Sequence, residues 1–193
     1  MSINITFTHL FTLPLKYKPI LDLRKEAEKI FPLFCDESPD LPFVDNKFFE
    51  SENVFKENEV EAPDKETKEV KIEKISGNQV FCPKDLISLP DRSSLFSLRE
   101  VIMFCVQYPG HLNENDFGTI FLVRRFFSSE SEIENDPFIE PADKILVAWA
   151  TGGDINRRML LFFHFDKFSL KLKNSEGEES EQSIYYISKT NVN

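Results

Sequence analysis

The stretch from Asp143 to Lys173 constrains the fold more than any other part of the chain. Lys144-Ile-Leu-Val-Ala-Trp-Ala-Thr151 is a short apolar run with β-branched and aromatic content, and Gly152-Gly-Asp-Ile-Asn156 supplies residues suited to positive φ and to turns closed by a side chain. Arg157 to Phe165 is then apolar on both faces, the pattern of a strand covered on two sides. Together these residues predict a β-hairpin at the middle of an antiparallel sheet.

Other strands follow from a period of two. Near the start, Ile3, Ile5, Phe7 and His9 alternate with Asn4, Thr6 and Thr8, and Pro14 is expected to end that strand. Val70 to Phe81 predicts a two-stranded hairpin about Ser76-Gly77-Asn78, and Gly118 to Phe127 a further strand. Phe168, Leu170 and Leu172 alternate with Ser169, Lys171 and Lys173; across the acidic turn of Asn174 to Glu181, Ser183 to Ser188 is expected to pair back as another strand.

Two helices are expected. Pro19 sits where a first helical residue would, and Ile20, Leu23, Ala27 and Ile30 form one stripe at helical spacing as far as about Phe31. Ser97-Leu-Arg-Glu100 fits a capping box opening a second helix through about Gln107, stopped by Pro109-Gly110, although Val101 to Val106 is also good strand material. A single helical turn is expected after Pro83. The fold class is therefore α+β: an antiparallel sheet with about five consecutive strands in the C-terminal half, two or three upstream, and two covering helices.

Charge is divided unevenly along this frame. The stretches Asp36 to Glu69, Ser128 to Asp143 and Asn174 to Glu181 hold twenty-two of the thirty-three acids and four of the twenty-three lysines and arginines, which leaves a basic remainder inside a chain of net charge -10. The 193 residues suit one domain, 1–193, carrying an acidic insert at about 36–69 in which Pro39, Pro42 and Pro63 interrupt any period. Phe43, Phe48, Phe49 and Phe55 punctuate that insert. Aromatic anchors in a well-solvated acidic segment suit partner docking; draping over the protein's own core is the competing explanation.

The catalytic inventory is thin. Cys105, His111 and Asp116 form a loose thiol-hydrolase set, but Cys105 sits in an apolar run where a thiol is usually an inert small hydrophobe. On a strand, His164 and Asp166 would share a face, yet a metal needs a third ligand that the sequence does not nominate. Gly152-Gly153-Asp154 lacks the Lys-Ser/Thr ending of a phosphate loop, and Asp154 is expected to close its own turn. No catalytic residue, metal ligand or cofactor is assigned. Arg124, Arg125, Arg157 and Arg158 should put guanidinium groups on both faces of the sheet, paired with acidic loops or meeting an anionic partner.

No apolar run approaches the roughly 18 residues of a membrane span, the N-terminus reads as a strand, and three cysteines at Cys35, Cys82 and Cys105 fit reduced thiols. The expectation is a cytoplasmic, non-enzymatic protein-binding module: an adaptor, accessory subunit or regulator using an exposed sheet face and the acidic aromatic insert. Its partner would be another protein, with a homodimer at a sheet edge left open and no membrane contact. Nucleic-acid binding by a basic sheet face is the first alternative, and a small hydrolase or ligand-binding β-barrel the second.

Overall fold

The computed structural model describes residues 5–17, 23–31, 67–77, 80–87, 94–114, 118–124, 145–171 and 183–190. Its elements in chain order are β1 (Ile5–Leu15), α1 (Leu23–Ile30), β2 (Lys68–Gly77), β3 (Val80–Phe81), the single turn α2 (Pro83–Leu86), α3 (Leu98–Gln107), β4 (Thr119–Arg124), β5 (Ile145–Ala150), β6 (Leu160–His164), β7 (Leu170–Lys171) and β8 (Ser183–Lys189). The fold is α+β. A six-stranded sheet runs β1-β2-β8-β4-β5-β6, and β3 pairs with β7 in a separate two-stranded sheet. All neighbours in the large sheet are antiparallel except β4 and β8, which run parallel.

Two apolar clusters, one per face, hold these layers. On one face Ala27 and Phe31 from the α1 end and most of α3 pack on Val70, Ile72, Phe121, Val123, Leu146, Ala148, Phe162 and Ile187. On the other, Phe81, Phe165 and Phe168 cover Ile75, Ile120, Leu122, Val147 and Ile184. Helix α3 is buried nearly all round, from Leu98 to Cys105 except at Glu100, because the sheet lies under one side and α1 against another. Edge-to-face stacking ties it down: the Phe121 ring lies 5.6 Å from Phe96 and 5.5 Å from Phe104, the offset geometry that aromatic quadrupoles favour.

Several expectations from the sequence hold. β5 and β6 form the hairpin, in register from Leu146 opposite His164 to Ala150 opposite Leu160, and Asp154 closes its turn by accepting the Asn156 N–H. Ser97 and Glu100 make the reciprocal capping box at the head of α3, which settles Val101 to Val106 as helix. α1 buries Ala27, with Ile30 partly covered, on the expected stripe.

Four pairings differ. The β5–β6 hairpin lies at a margin of the sheet rather than its middle: β6 is covered on both faces by α3 and the Phe168 turn, so apolar content on two sides reports layers above and below, not neighbours in the sheet. The hairpin expected within Val70 to Phe81 does not form; β1 and β8 occupy both edges of β2, and β3 joins β7 in the other layer. β8 does not pair back on β7 but enters between β2 and β4, since Ile184 and Tyr186 feed one apolar cluster while Tyr185 and Ile187 feed the other. The C-terminal strands are therefore neither consecutive nor all antiparallel. Finally, β1 continues through Pro14, which an edge strand tolerates because one side of it needs no N–H donor.

Candidate interaction edge

Of the two margins of the large sheet, β1 is the longer strand, eleven residues against the five of β6. It is the terminal strand of the large sheet, paired on one side with β2 from Ile5 opposite Gly77 to Leu15 opposite Lys68. The register shifts between His9 and Phe11, a β-bulge that divides the strand. Before the bulge, Phe7 and His9 stand opposite Ile75 and Glu73; after it, Phe11 and Leu13 stand opposite Ile72 and Val70, on the face covered by α3. One inserted residue has moved the odd-numbered side chains to the other face.

The two halves differ in cover. A half-buried strand hides every second residue, yet Thr6, Phe7, Thr8 and His9 are exposed in succession. The expected inner face of Ile5, Phe7 and His9 is therefore only half-buried at Ile5 and open at the other two, because before the bulge it lies on the side of the sheet away from α1 and α3; Ile3 lies outside the described residues. After the bulge, Leu13 is half-buried and Leu15 buried, while Phe11 remains 51% exposed.

The end of α3 clamps this second half. The Tyr108 hydroxyl donates to the Pro14 carbonyl at 2.5 Å, the Lys16 N–H donates to Gln107 Oε1 at 3.1 Å, and Gln107 Nε2 donates to the Lys16 carbonyl at 2.6 Å. His111 follows on a 3-10 turn, with its ring 5.4 Å from Phe11 and 5.7 Å from Tyr108, both edge-on. Phe11 and His111 thus form an aromatic rim on a rigid seat. Ile5 to Leu15 contains no charged residue except the titratable His9, whereas natural edge strands commonly carry lysine or inward charges to prevent pairing. Pro14 and the bulge are the deterrents here, and both lie at or beyond residue 9.

A second polar cluster closes the sheet's interior. Glu100 accepts from Ser97 N–H at 2.7 Å and pairs with Lys68 Nζ at 3.0 Å and Lys189 Nζ at 2.7 Å; Lys189 also donates to the Leu95 carbonyl at 2.6 Å and lies 5.3 Å from the Phe96 ring centre. Burial pushes the Glu100 carboxyl up, but the Lys189 ammonium and its hydrogen bond, the Ser97 N–H and Lys68 together outweigh it and hold the group below the usual carboxylate range. Lys189 is depressed below the ordinary lysine range, chiefly by burial, with Glu100 pulling the other way. Phe96 beside this cluster bridges to Val123, donating to Leu122 and accepting from Arg124, so the segment wedges beside β4 where β8 ends its pairing. With every member held by a fixed partner, the cluster is a structural lock.

The sequence-nominated residues fall elsewhere. Arg124 is half-buried at the far end of β4, opposite Ile145. Arg157 is exposed on a 3-10 turn and Arg158 half-buried just after it, with Nε donating to the Gly153 carbonyl at 3.1 Å; neither lies on a strand, so the alternation expected of them does not apply. That turn adjoins the opposite end of β5 from Arg124, roughly 17 Å away at about 3.4 Å per residue. The structure does not gather them into one basic face. Arg125, Phe43, Phe48, Phe49 and Phe55, with the insert up to residue 66, lie outside the described residues.

Cys105 is fully buried and its thiol is pushed far above its ordinary value by desolvation, while His111 packs on Phe11; Asp116 lies outside the described residues. Asp166 sits on an exposed turn after β6 rather than on the strand with His164. Among the described residues no group of three or more His, Cys, Asp or Glu is placed to hold a metal, and no helix is long and apolar enough to cross a membrane. The sequence reasoning missed β1 as the open edge, although its lack of charge was readable. Compared with known proteins, the chain matches no family model, no curated protein and no solved structure.

Proposed function

We propose that this chain is a non-enzymatic protein-binding module, an adaptor, accessory subunit or regulator, whose docking site is β1 and the Phe11–His111 rim beside it. One observation carries the reading: an eleven-residue edge strand without a fixed charge, seated rigidly on α3 yet presenting Phe11 at 51% exposure. Affinity at such an edge comes from main-chain hydrogen bonds to an added strand, with specificity from side chains that alternate along it. An aromatic anchor held by a rigid seat adds contact area at little cost in conformational freedom. The partner suited to this edge is an extended segment whose apolar side chain packs against Phe11 and the His111 ring.

Photo-crosslinking tests this. With p-benzoylphenylalanine at position 11, the protein expressed in its native host should give a discrete adduct with another protein, and the same probe at the equally exposed Ile155, at the other end of the sheet order, should not. Equal labelling from both positions, or labelling from Ile155 alone, would remove β1 as the docking site.

A further inference from the structure

We infer that His9, Glu73 and Tyr186 form a binding site for an alkylammonium group, on the face of the sheet away from α1 and α3. The site uses side chains standing on that face rather than the main chain along the free edge of β1, and is independent of the docking reading.

The register brings the three residues into one row. His9 on β1 stands opposite Glu73 on β2, and Glu73 stands opposite Tyr186 on β8. Glu73 is two residues from Ile75 and Tyr186 two from Ile184, both members of the apolar cluster on that face, so the three side chains rise on the same side. The outer two strands of the row are about 10 Å apart, twice the spacing of neighbouring strands, with Glu73 between them. His9 is exposed, while Glu73 and Tyr186 are half-buried.

Each member has hydrogen-bonding capacity left over. Lys71 Nζ lies 2.7 Å from Glu73 Oε1, and among the described residues Glu73 Oε2 has no partner. No described residue hydrogen-bonds the Tyr186 hydroxyl, which burial and then the Glu73 charge push up to about 12, so it stays a neutral phenol whose oxygen can accept. His9 Nε2 lies 3.4 Å from Thr12 Oγ1; with the ring proton there, Nδ1 is the third acceptor. Three acceptors on three neighbouring strands match the three N–H donors of an ammonium group. A guanidinium fits less well, because its fork takes both carboxylate oxygens and Lys71 already holds one. The sign of the local field agrees. The Lys71 side chain is 38% exposed and its charge is screened by water, whereas the Glu73 side chain is 14% exposed, and of the two it is Glu73 whose charge acts on Tyr186.

Titration followed by NMR decides it. In the full chain carrying tyrosine labelled with carbon-13 at the phenol carbon, Tyr186→Phe identifies the Tyr186 signal. Added n-butylammonium chloride should move that signal to saturation, while sodium butyrate and butyltrimethylammonium chloride, which lack N–H donors, should leave it in place at equal ionic strength. Glu73→Gln should weaken binding by at least about tenfold, the effect of one hydrogen bond to a charged group. Lys71→Met, which releases Oε1 and removes a competing cation, should tighten it, and a loss of folding could not imitate that result. Nα-acetyl-lysine methylamide distinguishes a lysine side chain of a partner from a free amine: whichever of it and butylammonium saturates the signal at the lower concentration names the source, and either supports the site. A Tyr186 signal unmoved by both, an equal response to butyltrimethylammonium, undiminished binding in Glu73→Gln, or no tightening in Lys71→Met would overturn it.

Discussion

At one margin of the large sheet β6 offers five residues, of which Leu160, Leu161 and Phe162 are buried; Arg157 and Arg158 precede it, and beyond it the Lys167 and Phe168 N–H groups both fold back onto the His164 carbonyl. At the other margin β1 runs for eleven residues, four of them in a row open to solvent, with no charge fixed along it. Short length, flanking charge and a covering turn are the usual protections of a sheet edge, and β6 has all three. β1 has only a bulge and a proline, both placed to spare Ile5 to His9. Among the described residues one margin of the sheet is guarded and the other is not, and that difference is the ground for proposing recognition at β1.

The contrast breaks most visibly under truncation of large side chains. Phe162→Ala should destabilise the fold by about 4 kcal/mol in urea melts, because a fully buried ring leaves a cavity between β5, β6 and α3. A loss below about 1 kcal/mol would mean that β6 is as loosely held as β1. Next in size is the joint between the two halves of the sheet. Glu100→Gln leaves Lys68 and Lys189 facing one another with little solvent, at a cost of about 3 kcal/mol at neutral pH. Because the folded Glu100 carboxyl lies below its unfolded value, its contribution is fully present above about pH 4.3 and is lost as pH falls through the folded value. Melts near neutrality and in acid should therefore show the gap between Glu100→Gln and the unaltered chain narrowing toward low pH; a constant gap would show that the charge is not what the lock uses. The smallest effect belongs to the open margin. Phe7→Ala should change stability by no more than about 0.5 kcal/mol, because the side chain it removes is exposed. A larger loss would show Phe7 to be packed within its own chain.

What the sequence made legible was local. The Ser97 to Glu100 box, the Asp154 turn and the β5–β6 hairpin each depend on residues within about twenty positions of one another, and all three formed as expected. Pairing order was not local. Ile184-Tyr-Tyr-Ile187 is apolar on both faces, the same signature that misplaced β6 at the centre, and periodicity cannot say which of two such strands has neighbours in the sheet and which only has layers above and below. The Glu100 lock was invisible for a simpler reason: Lys68 and Lys189 lie 32 and 89 residues from it in the chain. At β1 the alternation of Ile5, Phe7 and His9 was real, but a bulge residue reverses the face without changing the letters around it.

The position of β8 has a consequence for how the molecule comes into being. β1 and β2 can zip together early, and β4, β5 and β6 form a second meander, and among the described strands Ser183–Lys189 alone pairs with both. Its partners in β2 were synthesised more than a hundred residues before it, so loop closure of that length must precede any gain from the central ladder. Until those seven residues are in place the inward edges of β2 and β4 lack the strand that pairs with both, and the large sheet waits on β8 as an arch waits on its keystone.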